Sequence, residues 1–103
     1  MNVEFHPETR AEFRELRQRS LAEYKAMRTA IAILQTVGAE APFPLSSLVQ
    51  GTKLRELRPR QGRSPWRALY LRVGDVLSIG AIGPEAKHDP RGFRAAVDRA
   101  VTG

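Results

Sequence analysis

The sequence predicts a small α+β domain whose elements follow the order strand, helix, helix, strand, strand, strand, helix. Three observations support this prediction. Apolar residues recur at helical spacing in the first third, two aliphatic runs flank a Gly-Asp pair in the second half, and the C-terminal segment returns to a helical period. Helices segregated from consecutive antiparallel strands are typical of an α+β layer pair. Because 103 residues suffice for one core, residues 1–103 are expected to form a single domain.

The N-terminal part predicts a strand followed by a helical hairpin. "NVEF" at residues 2–5 alternates as a short strand does, and Pro7 suits the first position of a helix that extends to about residue 19. Ser20 and Glu23 match the S-x-x-E capping box, so a second helix should begin directly after the first. Gly38 is placed to end that second helix.

The second half predicts three strands and a final helix. "GAEAPFPLSSLVQGT" has the composition of an irregular connection, and strand character resumes at "KLREL". "WRALYLRV" and "VLSIGAIG" are joined by Gly74 and Asp75, which signal a tight hairpin. Both faces of "WRALYLRV" are mixed in polarity, which favours a sheet with helices over one face and a partly open second face. Asp89 is expected to cap the last helix, with Pro90 at its first position.

The positive charge of the chain is concentrated in one segment. The formal net charge is +6, and residues 53–72 hold seven Lys or Arg but a single carboxylate, Glu56, so the rest of the chain is balanced. Such a local excess favours a polyanionic partner, because neutralising phosphates releases counterions. The segment is therefore the candidate contact surface for such a partner.

Composition also excludes several classes of protein. No apolar run approaches the roughly 18 residues that span a bilayer, and the N-terminus lacks the pattern of a signal peptide, so we expect a cytoplasmic protein that does not bind a membrane. The chain has no cysteine and two histidines, which excludes disulfides and thiolate metal sites. No metal site is predicted.

The order of elements and three local landmarks resemble the RelE/HigB/ParE superfamily, the toxins of bacterial type II toxin–antitoxin systems. The landmarks are "LRELR" before a hairpin, "WRALYLRVGDVLSIGAIG", and the ending "GFRAAVDRA". The resemblance implies a RelE/ParE-like fold, no cofactor and a cognate antitoxin. It also implies that the protein contacts DNA only indirectly, through a complex with the antitoxin. In the RelE and HigB branches it implies an mRNA interferase, an endoribonuclease that inhibits translation on the ribosome. Its cleavage is metal-free: the ribose 2′-hydroxyl attacks the adjacent phosphate and the 5′-oxygen leaves.

The resemblance also implies roles for individual residues. Arg67 falls where the strand arginine of the family contacts the scissile phosphate, Lys87 where a second catalytic cation lies, and His88 near acid/base residues of the HigB branch. Phe93 stands where many RNA-cutting relatives have a tyrosine. From these assignments, Arg67→Ala is expected to abolish toxicity and leave the fold intact. The residues expected to bind RNA are Lys53, Arg55, Arg58, Trp66 and Arg72.

The residues themselves leave alternatives open. An arginine at the start of a strand is also typical of a partner for a carboxylate such as Glu56, and His88 is also typical of a surface residue beside a helix cap. Lys87 fits either a base or a phosphate clamp, and Trp66 fits either base stacking or the core. Two other functions compete: a ParE-like inhibitor of DNA gyrase, and a non-catalytic RNA-binding module.

Overall fold

The protein folds as a five-stranded sheet with helices on both faces. The structure is a computed structural model and describes residues 1–102. The elements are β1 (Asn2–Phe5), α1 (Pro7–Arg19), α2 (Leu21–Val37), β2 (Ser46–Leu48), β3 (Arg55–Leu57), β4 (Trp66–Val73), β5 (Val76–Pro84) and α3 (Pro90–Thr102), with a 3₁₀ turn at Pro59–Gly62. The strands lie in the order β1-β5-β4-β3-β2. Only the pair β1 and β5 is parallel. The predicted α+β class is confirmed.

The residues predicted to cap the helices make capping hydrogen bonds at the helix ends. The Ser20 hydroxyl accepts a hydrogen bond from the Glu23 amide at 3.2 Å and so begins α2. Gly38 ends α2 with φ 104°, and its amide donates to the Leu34 carbonyl at 2.8 Å. The Asp89 carboxylate accepts from the Gly92 amide at 3.0 Å at the start of α3. These contacts confirm the predicted helix boundaries.

One strand lies inside the segment predicted to be irregular. Ser46–Leu48 pairs with Arg55–Leu57 as the antiparallel outer edge of the sheet. The buried Ser46 hydroxyl lies 2.6 Å from the Tyr70 hydroxyl and accepts from the Arg55 Nε at 3.0 Å. Long-range contacts thus give this strand its place, whereas the surrounding prolines and glycines gave the segment the composition of a loop.

Apolar side chains pack on both faces of the sheet. The helical hairpin of α1 and α2 covers one face over a cluster that includes Leu16, Met27, Leu34, Tyr70 and Ile79. On the other face α3 packs over Leu69, Ala81, Ala96, Val97 and Ala100. The second face is therefore less open than the pattern of β4 favoured.

Two glycines of β5 bring α3 close to the sheet. A Cβ at Gly83 would lie 2.6 Å from the Cβ of Ala96, and one at Gly80 would lie 3.0 Å from the Cα of Ala100. α3 lies mainly along β5 and less along β4. Within residues 1–102 no helix is long and apolar enough to cross a bilayer.

Candidate active site

Arg67 lies at the centre of a group of charged side chains at one end of the sheet. Strand alternation places it on the face that carries Leu69 and α3. Its side chain is only 3% exposed, and its guanidinium contacts two carboxylates: Nε donates to Glu56 at 3.3 Å and Nη2 to Glu85 at 2.7 Å. The pairing with Glu56, one of the two interpretations of this arginine, is therefore present in the structure.

Backbone carbonyls take the remaining donors of Arg67. Its Nη1 donates to the carbonyls of Ser64 at 2.6 Å and Trp66 at 2.9 Å, and its Nη2 donates to the carbonyl of Gly62 at 3.3 Å. A guanidinium has five N–H groups, and here each has an acceptor within the protein. A phosphate can reach Arg67 only if one of these acceptors is replaced.

Glu85 connects Arg67 to the loop that carries the other predicted catalytic residues. Its carbonyl accepts from the amides of His88 at 3.2 Å and Asp89 at 3.0 Å, which folds the loop between β5 and α3 into a turn. Lys87 and His88 lie in this turn with exposed side chains. The structure therefore brings all three predicted catalytic residues to the same end of the sheet, linked through one carboxylate residue.

Glu56 is a charged residue of this group that sequence reasoning named only as an ion-pair partner. It pairs with Leu69 across β3 and β4, which puts it on the same face as Arg67. Its Oε1 also lies 3.7 Å from the Arg58 Nε, and its side chain is 18% exposed. The sequence already pointed to Glu56 as a member of this group, because it is the single carboxylate of the basic segment and lies in the strand that precedes the strand of Arg67.

Arg58 and Arg55 differ in what they present to a ligand. Arg58 is half-buried near Glu56, and its guanidinium stacks 4.3 Å from the ring centroid of Phe43. Arg55 points to the opposite face, where its Nη2 donates to the Ala41 carbonyl at 3.0 Å under the sheet. The predicted contact of both with an mRNA backbone stays a prediction, and only Arg58 lies in the group around Arg67.

The other two predicted strand cations lie at the far end of the sheet. Arg72 is five residues from Arg67 along β4, which corresponds to roughly 16 Å. It is exposed, and its Nε donates to the carbonyl of Gly74 in the hairpin turn at 2.9 Å. Lys53 is exposed and precedes β3. The structure thus separates these two cations from the group around Arg67.

Trp66 and His88 line a cleft of about 430 Å³ between α1, α3 and the end of β5. The indole is half-buried, with the Arg19 guanidinium 5.4 Å from its ring centroid. Glu12 and Arg99 also line the cleft and form an ion pair of 2.7 Å that links α1 to α3. The cleft therefore offers an aromatic edge and a histidine next to the start of β4, but Arg67 does not line it, because alternation points Arg67 to the face opposite Trp66.

The chemistry that this group offers is that of acids, bases and cations. Two arginines and two carboxylates balance in charge, and Lys87 and His88 add an exposed cation and an imidazole. Phe93 is half-buried against the α3 side of the core and has no hydroxyl. Within the described part of the chain no three His, Cys, Asp or Glu side chains group as a metal site.

Comparison with known proteins supports the family that the sequence landmarks resemble. The family model "Phage derived protein Gp49-like (DUF891)" matches residues 12–77, more than half of the chain. The fold matches the YoeB-YefM complex from Staphylococcus aureus with a TM-score of 0.63 and 14% identity over 80% of this chain and 93% of that chain. A heterotetrameric YoeB-YefM toxin–antitoxin complex from the same organism matches with a TM-score of 0.62 and 14% identity over 79% and 92%. No curated protein matches the chain. The chain belongs to the Gp49-like phage-derived family, which is of the RelE/HigB type, and so to the RelE/HigB/ParE superfamily.

Proposed function

We propose that this chain is the toxin of a type II toxin–antitoxin pair and acts as a metal-free, ribosome-dependent mRNA endonuclease. The observation that supports this most is the grouping of Arg67 with Glu56, Glu85 and the loop of Lys87 and His88 at one end of the sheet. Its partners are then a cognate antitoxin, the ribosome and mRNA in the cytoplasm, with DNA reached only through the antitoxin complex.

The proposed reaction assigns a proton transfer to each side of the scissile phosphate. Glu56 accepts the proton of the ribose 2′-hydroxyl, and the 2′-oxygen attacks the adjacent phosphorus. Arg67 stabilises the charge that develops on the phosphoryl oxygens. His88, with Lys87 beside it, donates a proton to the 5′-oxygen as that bond breaks. The products are a 2′,3′-cyclic phosphate and a 5′-hydroxyl end.

A phosphate reaches Arg67 by replacing one of the two carboxylates that pair with it. Glu85 holds Nη2 at 2.7 Å and its side chain is 26% exposed, more than that of Glu56 at 18%. A phosphate oxygen can take the place of the Glu85 carboxylate without leaving the buried guanidinium unpaired. Only the Glu85 side chain then has to turn outward, because the loop that carries Lys87 and His88 is held by the Glu85 backbone carbonyl.

A second candidate is a ParE-like toxin that inhibits gyrase by binding and performs no chemistry. The observation that favours it is the complete internal pairing of Arg67, together with a phenylalanine at position 93. In that case the charged group around Arg67 only stabilises the loop between β5 and α3. The nuclease predicts cleaved mRNA in the cell, whereas the gyrase inhibitor predicts damaged DNA.

Primer extension on mRNA after induced expression tests the proposal. We expect new 5′ ends within translated codons, and none when translation initiation is blocked. Arg67→Lys keeps the charge but loses the planar fork, so cleavage should fall by about 10²-fold. Arg14→Lys, an exposed change on α1, serves as the matched control. Intact mRNA together with an induced DNA damage response would reject the nuclease and support the gyrase inhibitor.

A further inference from the structure

An exposed aromatic ring lies next to the group of charges around Arg67. Phe43, in the loop between α2 and β2, is the most exposed of the large apolar side chains that the structure describes, at 69%. The Arg58 guanidinium covers the ring, with its Cζ 4.3 Å from the ring centroid. One face of the ring is therefore occupied by a cation, and the other is free to stack on a second planar group.

Several contacts hold Arg58 against this ring. Its Nη1 donates to the Pro44 carbonyl at 3.3 Å, and its Nε lies 3.7 Å from Glu56 Oε1. Its Nη2 packs against the backbone of Gly62, where a Cβ would lie only 2.6 Å away. The stack of Phe43 and Arg58 is therefore preformed, and a ligand that binds to it does not have to order it.

The stack is connected to Arg67 through Glu56. One oxygen of this carboxylate, Oε1, lies 3.7 Å from the Arg58 Nε and 3.3 Å from the Arg67 Nε. The guanidinium proposed to bind the scissile phosphate and the guanidinium on the Phe43 ring are thus neighbours that share one oxygen. A phosphate on Arg67 would place the adjacent nucleotide beside Arg58, with its base within reach of the ring.

The proposed reaction determines which of the two adjacent nucleotides this is. Glu56 accepts the proton of the 2′-hydroxyl, so the ribose on the 5′ side of the cut lies next to Glu56. His88 protonates the 5′-oxygen on the 3′ side, and it lies in the loop between β5 and α3. Because the Phe43 stack is connected to Glu56, it lies on the side of the 5′ nucleotide.

We propose that Phe43 stacks on an unpaired base of single-stranded RNA, that of the nucleotide on the 5′ side of the cut. This inference rests on the proposed function. An aromatic ring beside a cation is typical of proteins that bind single-stranded RNA, because every base has a flat π face and lies next to a phosphate. Phe43 supplies the stacking surface, and Arg58 supplies the charge. Purines should be preferred, since they offer the larger surface for stacking.

Binding of short RNA to the whole protein without ribosomes tests the inference. The probes are a labelled 2′-O-methyl oligoadenylate, which cannot be cleaved, and a chain of abasic sugars with the same number of phosphates. In fluorescence anisotropy the oligoadenylate should bind about tenfold more tightly than the abasic chain. Phe43→Leu should remove this difference, and Phe43→Trp should keep it. The matched control, Val73→Ala, trims an apolar side chain that is 61% exposed at the far end of β4 and should leave both affinities unchanged.

The abasic chain distinguishes stacking from a purely structural role of the ring. If Phe43 only held Arg58 in place, Phe43→Leu would weaken both probes equally and lower the salt dependence of binding, because a phosphate contact would be lost. Arg58→Gln is the reference for that behaviour. We expect Phe43→Leu to weaken the oligoadenylate alone, at an unchanged salt dependence. Equal loss for both probes, no loss, or a wild-type protein that binds both probes alike would overturn the inference.

A cleavage map in a reconstituted translation assay separates this inference from the proposed function. Phe43→Leu should lose the preference for a purine on the 5′ side of the cut and keep any preference on the 3′ side. Cleavage by wild type and Phe43→Leu at the same sites rejects only the role of Phe43. Base-dependent binding in a protein that never cleaves mRNA rejects only the nuclease and leaves a base-binding ring on an RNA-binding module.

Discussion

Replacing Arg67 by alanine should lower the free energy of unfolding by about 3 to 5 kcal/mol, because truncation removes one partner from a buried group of charges. The expectation from sequence was that this variant leaves the fold intact. The structure predicts a loss of stability in addition, since the guanidinium is buried and satisfies two carboxylates and three carbonyls. Loss of toxicity in Arg67→Ala would therefore not by itself identify a catalytic residue.

The magnitude follows from the two carboxylates. A hydrogen bond to a charged group contributes about 1.5 to 3 kcal/mol when it is shielded from water. The side chains of Glu56 and Glu85 are 18% and 26% exposed, so part of each contribution is lost to solvent screening. The lower limit of about 3 kcal/mol is therefore the better estimate for Arg67→Ala. For a domain of this size it corresponds to a fall in Tm of about 12 to 24 °C.

A double-mutant cycle measures whether Arg67 and Glu85 act together. Urea unfolding followed by circular dichroism gives the free energy for Arg67→Ala, for Glu85→Gln and for the double variant. We expect a coupling of about 1 to 2 kcal/mol between the two positions. The exposed Arg14→Ala is the control and should stay within about 0.5 kcal/mol of wild type. Additive effects, or an Arg67→Ala as stable as the control, would refute the described pairing.

Other predictions concern single contacts. Ser20→Ala should cost about 1 kcal/mol in urea unfolding because it removes the cap of α2, whereas Ser20→Gly should cost less; equal stability of Ser20→Ala and wild type would contradict the cap. Gly83→Ala should cost about 1 to 3 kcal/mol because the new Cβ meets Ala96 at 2.6 Å, and an unchanged urea midpoint would show that α3 lies farther away. Lys87→Ala and His88→Ala, both exposed, should leave the free energy of unfolding within about 0.5 kcal/mol of wild type. Each should nevertheless lower mRNA cleavage in a reconstituted translation assay by about 10²-fold, and full cleavage by both variants would remove these residues from the proposed mechanism.

Local signals in the sequence predicted the helices and the central hairpin. Ser20, Gly38 and Asp89 each act through backbone groups only a few residues away, so their residue types determine helix ends almost independently of the rest of the fold. The same holds for Gly74, whose φ of 60° suits the tight turn between β4 and β5. Strand Ser46–Leu48 was missed because only its long-range partners distinguish it from a loop.

The environment of Arg67 could not be predicted, because it depends on residues distant along the chain. Glu85 is 18 positions away, and the carbonyl of Gly62 comes from a turn whose path local sequence does not determine. Alternation along β4 correctly grouped Arg67 with Leu69, but the position of α3 decided how much of that face remained open. Sequence thus predicted which residues share an end of the sheet and not how their charges pair.

The cations of residues 53–72 fall into two groups: some are paired with carboxylates inside the protein, and others are exposed to solvent. Arg67 is neutralised by carboxylates, and Glu23 neutralises Arg60, so neither adds much to the long-range field that draws an anion to the surface. The exposed cation Lys53 contributes to that field at the far end of the sheet, and Arg72 does so more weakly because its Nη1 lies 3.7 Å from the Glu40 carboxylate. Under the proposed function, those cations increase the rate of encounter with RNA, and a phosphate must then displace a carboxylate to reach Arg67. The loop between β5 and α3 is held by the backbone carbonyl of Glu85 and not by that carboxylate, so the displacement can leave Lys87 and His88 in place beside the bound phosphate.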